Sequence, residues 1–245
     1  MDTEQPQQTE HTLPPLTPGT LYLVATPIGN MEDITLRAVR TLKECDIIAA
    51  EDTRHTGLLL QKLGFRKPFF SYHTFNEAQR QSQFIERLKN GQTIALVTDA
   101  GTPGISDPGQ RICAAVVEAG LRVEAVPGPC ALITALIASG LPTDEFHFIG
   151  FLPHKSGQRH TMLERALATP GTIVLYESPY RIEKLLNEIS SIAPNRKTVL
   201  ARELTKKFEE WLRGTPTELL EKIKNRSLKG EFVVLIGAED ITTDD

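Results

Sequence analysis

Thr98-Asp-Ala-Gly-Thr-Pro-Gly-Ile-Ser-Asp-Pro-Gly109 is the stretch on which the fold turns. It directly follows the apolar run Thr93-Ile94-Ala95-Leu96-Val97, which reads as a buried strand. Gly101, Gly104 and Gly109, with Pro103 and Pro108, then crowd into nine residues. Asp107 before Pro108 reads as an N-cap and first-turn pair opening a helix. A loop at the carboxyl end of a strand is where open α/β sheets bind ligands. Glycine admits a ligand close to the backbone, and Asp99 offers an acceptor for a hydroxyl or a positive charge. The plainer reading is a tight strand-to-helix connection and nothing more.

Outward from this loop the first half of the chain alternates. Strands are expected at Leu21-Ala25, Ile47-Ala50, Phe69-Tyr72, 93–97 and Val123-Val126. A helix capped by Asp33, with Leu36, Val39 and Leu42 inward, follows the first strand; others cover about 54–63, 75–89 and the residues up to Ala119-Gly120. This order implies a parallel sheet with helices on both faces. Pro127-Gly128-Pro129 breaks the pattern and marks a boundary. Cys130 to Ser139 is apolar nearly all round and reads as a buried helix. Strands at 146–151, 172–176, 198–202, 209–213 and 232–236 follow, with helices at about 157–168, 179–191 and 216–226. The 198–213 connection is too short for a helical crossover, so that pair is expected antiparallel. The fold class is therefore α/β in two domains. Residues 1–18 form a disordered tail, 19–128 an N-terminal domain with a mostly parallel sheet, and 129–240 a C-terminal domain with a mixed sheet.

The 245-residue chain is 40% hydrophobic, with a net charge of −4. The tail holds Asp2, Glu4 and Glu10 and no Lys or Arg, so the body is near neutral and lacks a general coat of basic charge. The three cysteines (Cys45, Cys113, Cys130) have no CxxC spacing, which fits reduced thiols in a cytoplasmic protein. No signal peptide and no membrane span are read. His147, His154 and His160 lack metal-ligand spacing, so no metal is assigned. GxxxxGK[ST], GxGxxG after the first strand and GxSxG are all absent.

Strand ends carry the remaining chemistry. Glu51-Asp52-Thr53-Arg54 places two carboxylates beside an arginine; they suit a hydroxyl-rich or phosphate-bearing substrate, or Asp52 simply caps the next helix and pairs with Arg54. His73, in Ser71-Tyr72-His73-Thr74-Phe75-Asn76-Glu77, reads as a base, a stacking group or a packed loop histidine. Arg196, Lys197, Arg202, Lys206, Lys207 and Arg213, with Lys222, Lys224, Arg226 and Lys229, make either a phosphate-contacting face or a solvated surface.

Taken together, Leu-Tyr-Leu-Val-Ala-Thr-Pro-Ile-Gly-Asn (21–30), Ala-Glu-Asp-Thr-Arg (50–54), Ser-Tyr-His-Thr-Phe-Asn-Glu (71–77), the 98–109 loop, Val-Pro-Gly-Pro (126–129), Tyr-Glu-Ser-Pro-Tyr-Arg (176–181) and Arg-Glu-Leu-Thr-Lys (202–206) are specific. On these marks the chain, from about residue 19 to 238, resembles the tetrapyrrole methylase superfamily of S-adenosylmethionine-dependent methyltransferases. Within it the chain is similar to the branch that methylates a ribose 2′-hydroxyl of a decoding-site cytidine in small-subunit ribosomal RNA. The resemblance implies a cofactor folded into the cleft between the two domains. Its contacts would be Pro27, Asp99, Ala100, Gly101, Ile105, Ser106, Ala131, Tyr176, Ala201 and Glu231. It further implies a homodimer acting on the small ribosomal subunit, away from membranes. Porphyrin-methylating relatives carry Gly-Asp-Pro where this chain has Gly101-Thr102-Pro103, which favours the RNA branch over C-methylation of a porphyrin-like ring. A non-catalytic cofactor sensor is the rival of another class, and the intact 98–109 loop speaks against it.

A ribose hydroxyl is a poor nucleophile and benefits from a proton acceptor. Glu51, Asp52 and His73 are the candidate catalytic residues, with Asp99 and Glu177 behind them. Arg54, Asn76, Glu177, Arg181 and Lys206 are the candidate substrate-binding residues.

Overall fold

The computed structural model describes residues 14–73 and 77–239, and of 77–79 only the backbone. Five strands, β1 (Thr20–Val24), β2 (Ile47–Ala50), β3 (Phe69–Ser71), β4 (Ile94–Val97) and β5 (Arg122–Val126), form one sheet in the order β3-β2-β4-β1-β5. Every pairing in it is parallel. The sequence makes it so because its strands are apolar on both faces. In β4, Ala95 and Val97 pack with Ala38 and Leu42 of α1 (Leu36–Glu44) and Leu60 of α2 (Thr53–Lys62). Ile94 and Leu96 point the other way, onto Phe84 and Leu88 of α3 (Glu77–Lys89) and Ile112 and Val116 of α4 (Gln110–Glu118). A strand buried on both sides needs helices on both sides.

The chain leaves β5 through Pro127-Gly128-Pro129. Gly128 passes so close to β1 that a Cβ there would stand 2.9 Å from the Ala25 Cβ. The second sheet contains β6 (Phe146–Phe151), β7 (Thr172–Glu177), β8 (Thr198–Arg202), β9 (Glu210–Gly214) and β10 (Phe232–Ile236), in the order β6-β7-β10-β8-β9. It is mixed: β6 and β7 are parallel, while β7–β10, β10–β8 and β8–β9 are antiparallel, the last as the short connection requires. One face is covered by α5 (Ala131–Ser139) through Leu132, Ala135 and Leu136. The other carries α6 (Ser156–Leu167), α7 (Ile182–Ile192) and α8 (Pro216–Ile223), which contribute Leu163, Leu185, Ile189 and Leu219 to the largest apolar cluster. Under α6, Arg159 is only 1% exposed and donates to Glu188 at 2.6 Å. Among the described residues no helix is long and apolar enough to cross a membrane.

Several local expectations are corrected. The cap of α1 is Thr35, whose hydroxyl accepts from the Ala38 N–H at 3.1 Å; Asp33 lies in a preceding 3₁₀ turn capped by Asn30. Leu36 is 91% exposed, and Ala38 and Thr41 take the inward positions. Asp107 is no helix cap either: α4 starts after Gly109, whose φ of 138° only glycine readily adopts. On α5, Ile133 and Ile137 face outward, so that helix is buried on one side only. Of the tail, residues 14–18 are held in place: Leu16 packs on the first sheet's cluster, and the Thr17 N–H donates to the Tyr22 hydroxyl at 2.8 Å.

Candidate active site

Parallel strands deliver their carboxyl ends to one edge, so the loops after β1, β2 and β4 meet there. The 98–109 loop is tied across this edge. Thr26 and Gly101 exchange backbone hydrogen bonds of 2.9 and 3.0 Å, and the Thr26 hydroxyl donates to the Thr98 carbonyl. The Asp52 N–H donates to the Asp99 carboxylate at 3.1 Å, and the Asp99 N–H reaches the Glu51 carboxylate at 3.4 Å. Gly101 has a φ of 81°, and a Cβ on it would press the Ile28 side chain at 3.3 Å. Ser106 holds a φ of 61°, a conformation that costs a non-glycine residue about 1 kcal/mol or more.

The second sheet closes the site from the opposite side. The β6, β7 and β8 ends, the turn before β10 and the start of α5 face the loop across a cleft of about 460 Å³. From the first sheet Ile28, Glu51, Asp99–Thr102 and Ile105–Asp107 line it. From the second come Cys130, Ala131, Phe151, Tyr176–Pro179, Ala201, Leu204, Lys206 and Gly230–Val233. The Thr102 hydroxyl donates across to the Pro129 carbonyl at 3.0 Å. No side chain of its own caps α5; the Leu132 N–H instead donates to the Tyr176 hydroxyl of β7 at 3.1 Å. Burial raises the proton affinity of that phenol, so it stays neutral.

The lining is strongly acidic, with Glu51, Asp99, Asp107, Glu177 and Glu231 against Lys206. Burial, followed by the charge of Glu51, pushes Asp107 up to about 6. Burial raises Glu51 as well, against the hydrogen bond from the Asp99 N–H, which lowers it. A smaller hollow, about 280 Å³, lies outside the cleft and shares Glu51, Ser106 and Asp107 with it. These two carboxylates therefore stand on the partition between an inner and an outer space.

The expected cofactor residues Asp99, Ala100, Gly101, Ile105, Ser106, Ala131, Tyr176, Ala201 and Glu231 all line the cleft; Pro27 does not, and its neighbour Ile28 does. Of the expected catalytic and substrate residues, Glu51, Glu177 and Lys206 line it, whereas Asp52, Arg54, His73 and Arg181 do not. Asp52 caps α2 and binds the Arg54 guanidinium at 2.8 Å in solvent; these bonds hold its carboxyl down at about 2. Arg181 lies behind Glu177, with its Nε 3.2 Å from that buried carboxylate. Asn76 falls outside the described residues. The basic run of the second half is largely internally engaged. Arg202 and Arg226 both bind Glu210, Lys206 bridges Glu203 and Glu231 at 3.0 and 2.8 Å, and Arg213 donates to the end of α5. Asp107, Phe151 and the 230–233 turn complete the wall, and sequence reasoning gave them no such role, or only an approximate one. For Asp107 the cap-like Asp-Pro pair was a false lead; the strained glycine run around it was the true signal.

The family model for tetrapyrrole (corrin/porphyrin) methylases matches residues 20–220. The chain belongs to the tetrapyrrole methylase family. As a member it is an S-adenosylmethionine-dependent methyltransferase. It is 49% identical over 218 residues to the ribosomal RNA small subunit methyltransferase I of Halalkalibacterium halodurans, spanning 89% of this chain and 75% of the relative. The Escherichia coli O157:H7 protein of the same name is 50% identical over 223 residues, covering 89% and 77%. Among solved structures of the methylase fold, uroporphyrin-III C-methyltransferase from Thermus thermophilus aligns with a TM-score of 0.61 at 21% identity, over 89% of this chain and 94% of that one. Cobalt precorrin-4 methyltransferase aligns with a TM-score of 0.63 at 18% identity, over 89% and 95%.

Proposed function

We propose that this methylase transfers the methyl group of S-adenosylmethionine to the 2′-hydroxyl of a cytidine in the decoding region of small-subunit ribosomal RNA. The observation that carries the reading is the two-part site: an acidic inner cleft and an outer hollow, with Glu51 and Asp107 between them. The cofactor bears a sulfonium and an ammonium against one carboxylate, and a lining of this charge suits it. The Asp99-Ala100-Gly101 turn, Ile105 and Ser106 would hold it from the first sheet. Ala131, Tyr176, Ala201 and Glu231 would hold it from the second, with the amino terminus of α5 favouring its carboxylate. Bound there, it supplies an electrophilic methyl group.

The chain's own work is positioning and proton removal. Methyl transfer is an in-line displacement, so fixing donor and acceptor across the partition supplies much of the acceleration. Asp107 and Glu51 bind protons more tightly than ordinary carboxylates, which makes them better acceptors for the 2′-hydroxyl proton. We assign Asp107 as the acceptor and Glu51 as the group that tunes it. Identities of 49% and 50% to small-subunit rRNA methyltransferases support an rRNA substrate. A cytoplasmic homodimer goes with this reading, and the outward Ile133 and Ile137 of α5 are the apolar surface it would cover.

The test is methyl transfer from labelled cofactor to small ribosomal subunits lacking the modification, followed by nuclease digestion. Label recovered as 2′-O-methylcytidine is expected. Label on a base, or none on subunits alongside transfer to a porphyrin-like ring, would refute the reading.

A further inference from the structure

We infer that the rim of the cleft on the second sheet is a stacking platform for unpaired RNA bases, built from Phe151, Tyr180 and Phe208. This rests on RNA being the substrate and specifies how it is gripped. The three rings are 56%, 94% and 66% exposed, far more than aromatic side chains usually are. Topology gathers them. β6 and β7 run parallel, and β7 and β8 are both antiparallel to β10, so the three strands end on one edge. Phe151 closes β6 and lines the cleft; Tyr180 follows Pro179, which lines it; Phe208 stands two residues beyond Lys206, which lines it too.

The rim is braced. Arg181 donates from Nη2 to the carbonyls of Leu152 and Pro153, at 2.8 and 3.2 Å, and its Nε faces the buried Glu177. The turns that carry Phe151 and Tyr180 are thereby fixed to each other. Phe151 is also held edge-on to Tyr176, with centroids 5.6 Å apart. Lys207 lies over the Phe208 ring at 5.6 Å, and Lys155 is exposed on the turn after β6.

Separate rings interleaved with cations are what an unstacked strand meets: bases on the aromatic faces, phosphates on the lysines. A protein partner would call for a continuous apolar patch instead. The acidic lining keeps phosphates out of the cleft, which leaves the rim as the place where neighbours of the target nucleotide are held.

The test compares wild type with Tyr180→Ala, Phe208→Ala and Tyr180→Phe, each checked for melting temperature and cofactor affinity. Binding is measured on small ribosomal subunits and on a protein-free rRNA transcript of the decoding region, across a salt series. Each alanine variant is expected to weaken binding to both RNAs by about 5- to 50-fold without changing the salt slope. Tyr180→Phe is expected to bind like wild type. Binding within twofold of wild type in both alanine variants would overturn the inference, as would a loss confined to whole subunits, which would place the rings on a ribosomal protein. Failure of the wild type itself to methylate subunits would refute the RNA reading, a result distinct from either.

Discussion

Asp107 lies close enough to Glu51 that, after burial, the Glu51 charge is the strongest influence raising its proton affinity. Glu51 directly follows β2 and Asp107 lies late in the loop after β4, adjacent strands whose paired Ala50 and Val97 stand 47 positions apart in the chain. A carboxyl poised at about 6 is suited to take a proton near neutral pH.

Asp107→Asn should separate stability from activity. The folded-state value of about 6 lies above the ordinary 3.8, so the native state binds the proton more tightly. Stability therefore falls as pH climbs through this window and is fully reduced above it. At pH 7.5 the variant should gain on the order of 1 kcal/mol, after discounting for partial exposure, and should gain nothing below about pH 4. Its methylation rate should drop ~100-fold or more. Urea melts at both pH values and single-turnover transfer check this; a wild-type rate removes Asp107 from proton transfer.

Gly101→Val should damage the cofactor side. The glycine's φ of 81° disfavours a branched residue, and the new Cβ would meet Ile28. A destabilisation of about 1–3 kcal/mol and at least a tenfold loss of cofactor affinity are expected. Calorimetric titration with cofactor at 15 °C, where the variant is still folded, measures the second effect.

Asp52 and Glu51, neighbours in sequence, should behave oppositely. Asp52→Ala removes a helix cap and a solvent-exposed pair with Arg54, so its melting temperature should fall slightly and its turnover should stay within twofold. Glu51→Gln should leave the melting temperature unchanged or raised, and slow transfer at least tenfold. The pair of melting curves and initial rates tells the two apart.

Glu188→Ala should be the most destabilising of these changes. It strands the Arg159 guanidinium, which lies 2.6 Å away and almost wholly buried. A loss of about 3–5 kcal/mol is expected, and Arg159→Met combined with Glu188→Leu should recover most of it. Denaturant unfolding of the single and double variants decides.

The first sheet was legible because its strands are short apolar runs, each followed by a helix closed by a glycine or a polar turn. The mixed sheet was legible in its strands, and the brevity of 203–209 gave the β8–β9 pairing. Helix starts were less so. Asp33 and Asp107 look like caps, but Thr35 and Gly109 occupy those positions because the preceding turns consume extra residues. Period alone also could not show that Leu36, Ile133 and Ile137 point outward, since each belongs to an apolar helix stripe whose inward side is chosen by the sheet. In the site, motif glycines located the loop, but the wall contributed by Phe151 and residues 230–233 comes from strands far apart in sequence. Arg54 and, in the basic run, Arg202, Lys206 and Arg226 have their charges engaged by Asp52, Glu210, Glu203 and Glu231, pairings that, Arg54 with Asp52 aside, join residues the sequence does not mark as partners, while Lys207 stays exposed.

The carboxylate lining has a kinetic side. Before the cofactor enters, a polyanion approaching the partition meets like charge; the sulfonium lessens that repulsion. At ~8 Å and an effective dielectric of ~20, one elementary charge is worth about 2 kcal/mol. The methyl group carries the donor's positive charge away, but Asp107 takes up the 2′-hydroxyl proton in the same step, so the net charge of the site is unchanged until that proton leaves. The same wall that welcomes the donor would thus favour donor before RNA, and would loosen its hold on the finished RNA when Asp107 gives its proton back to solvent, not at the moment of transfer.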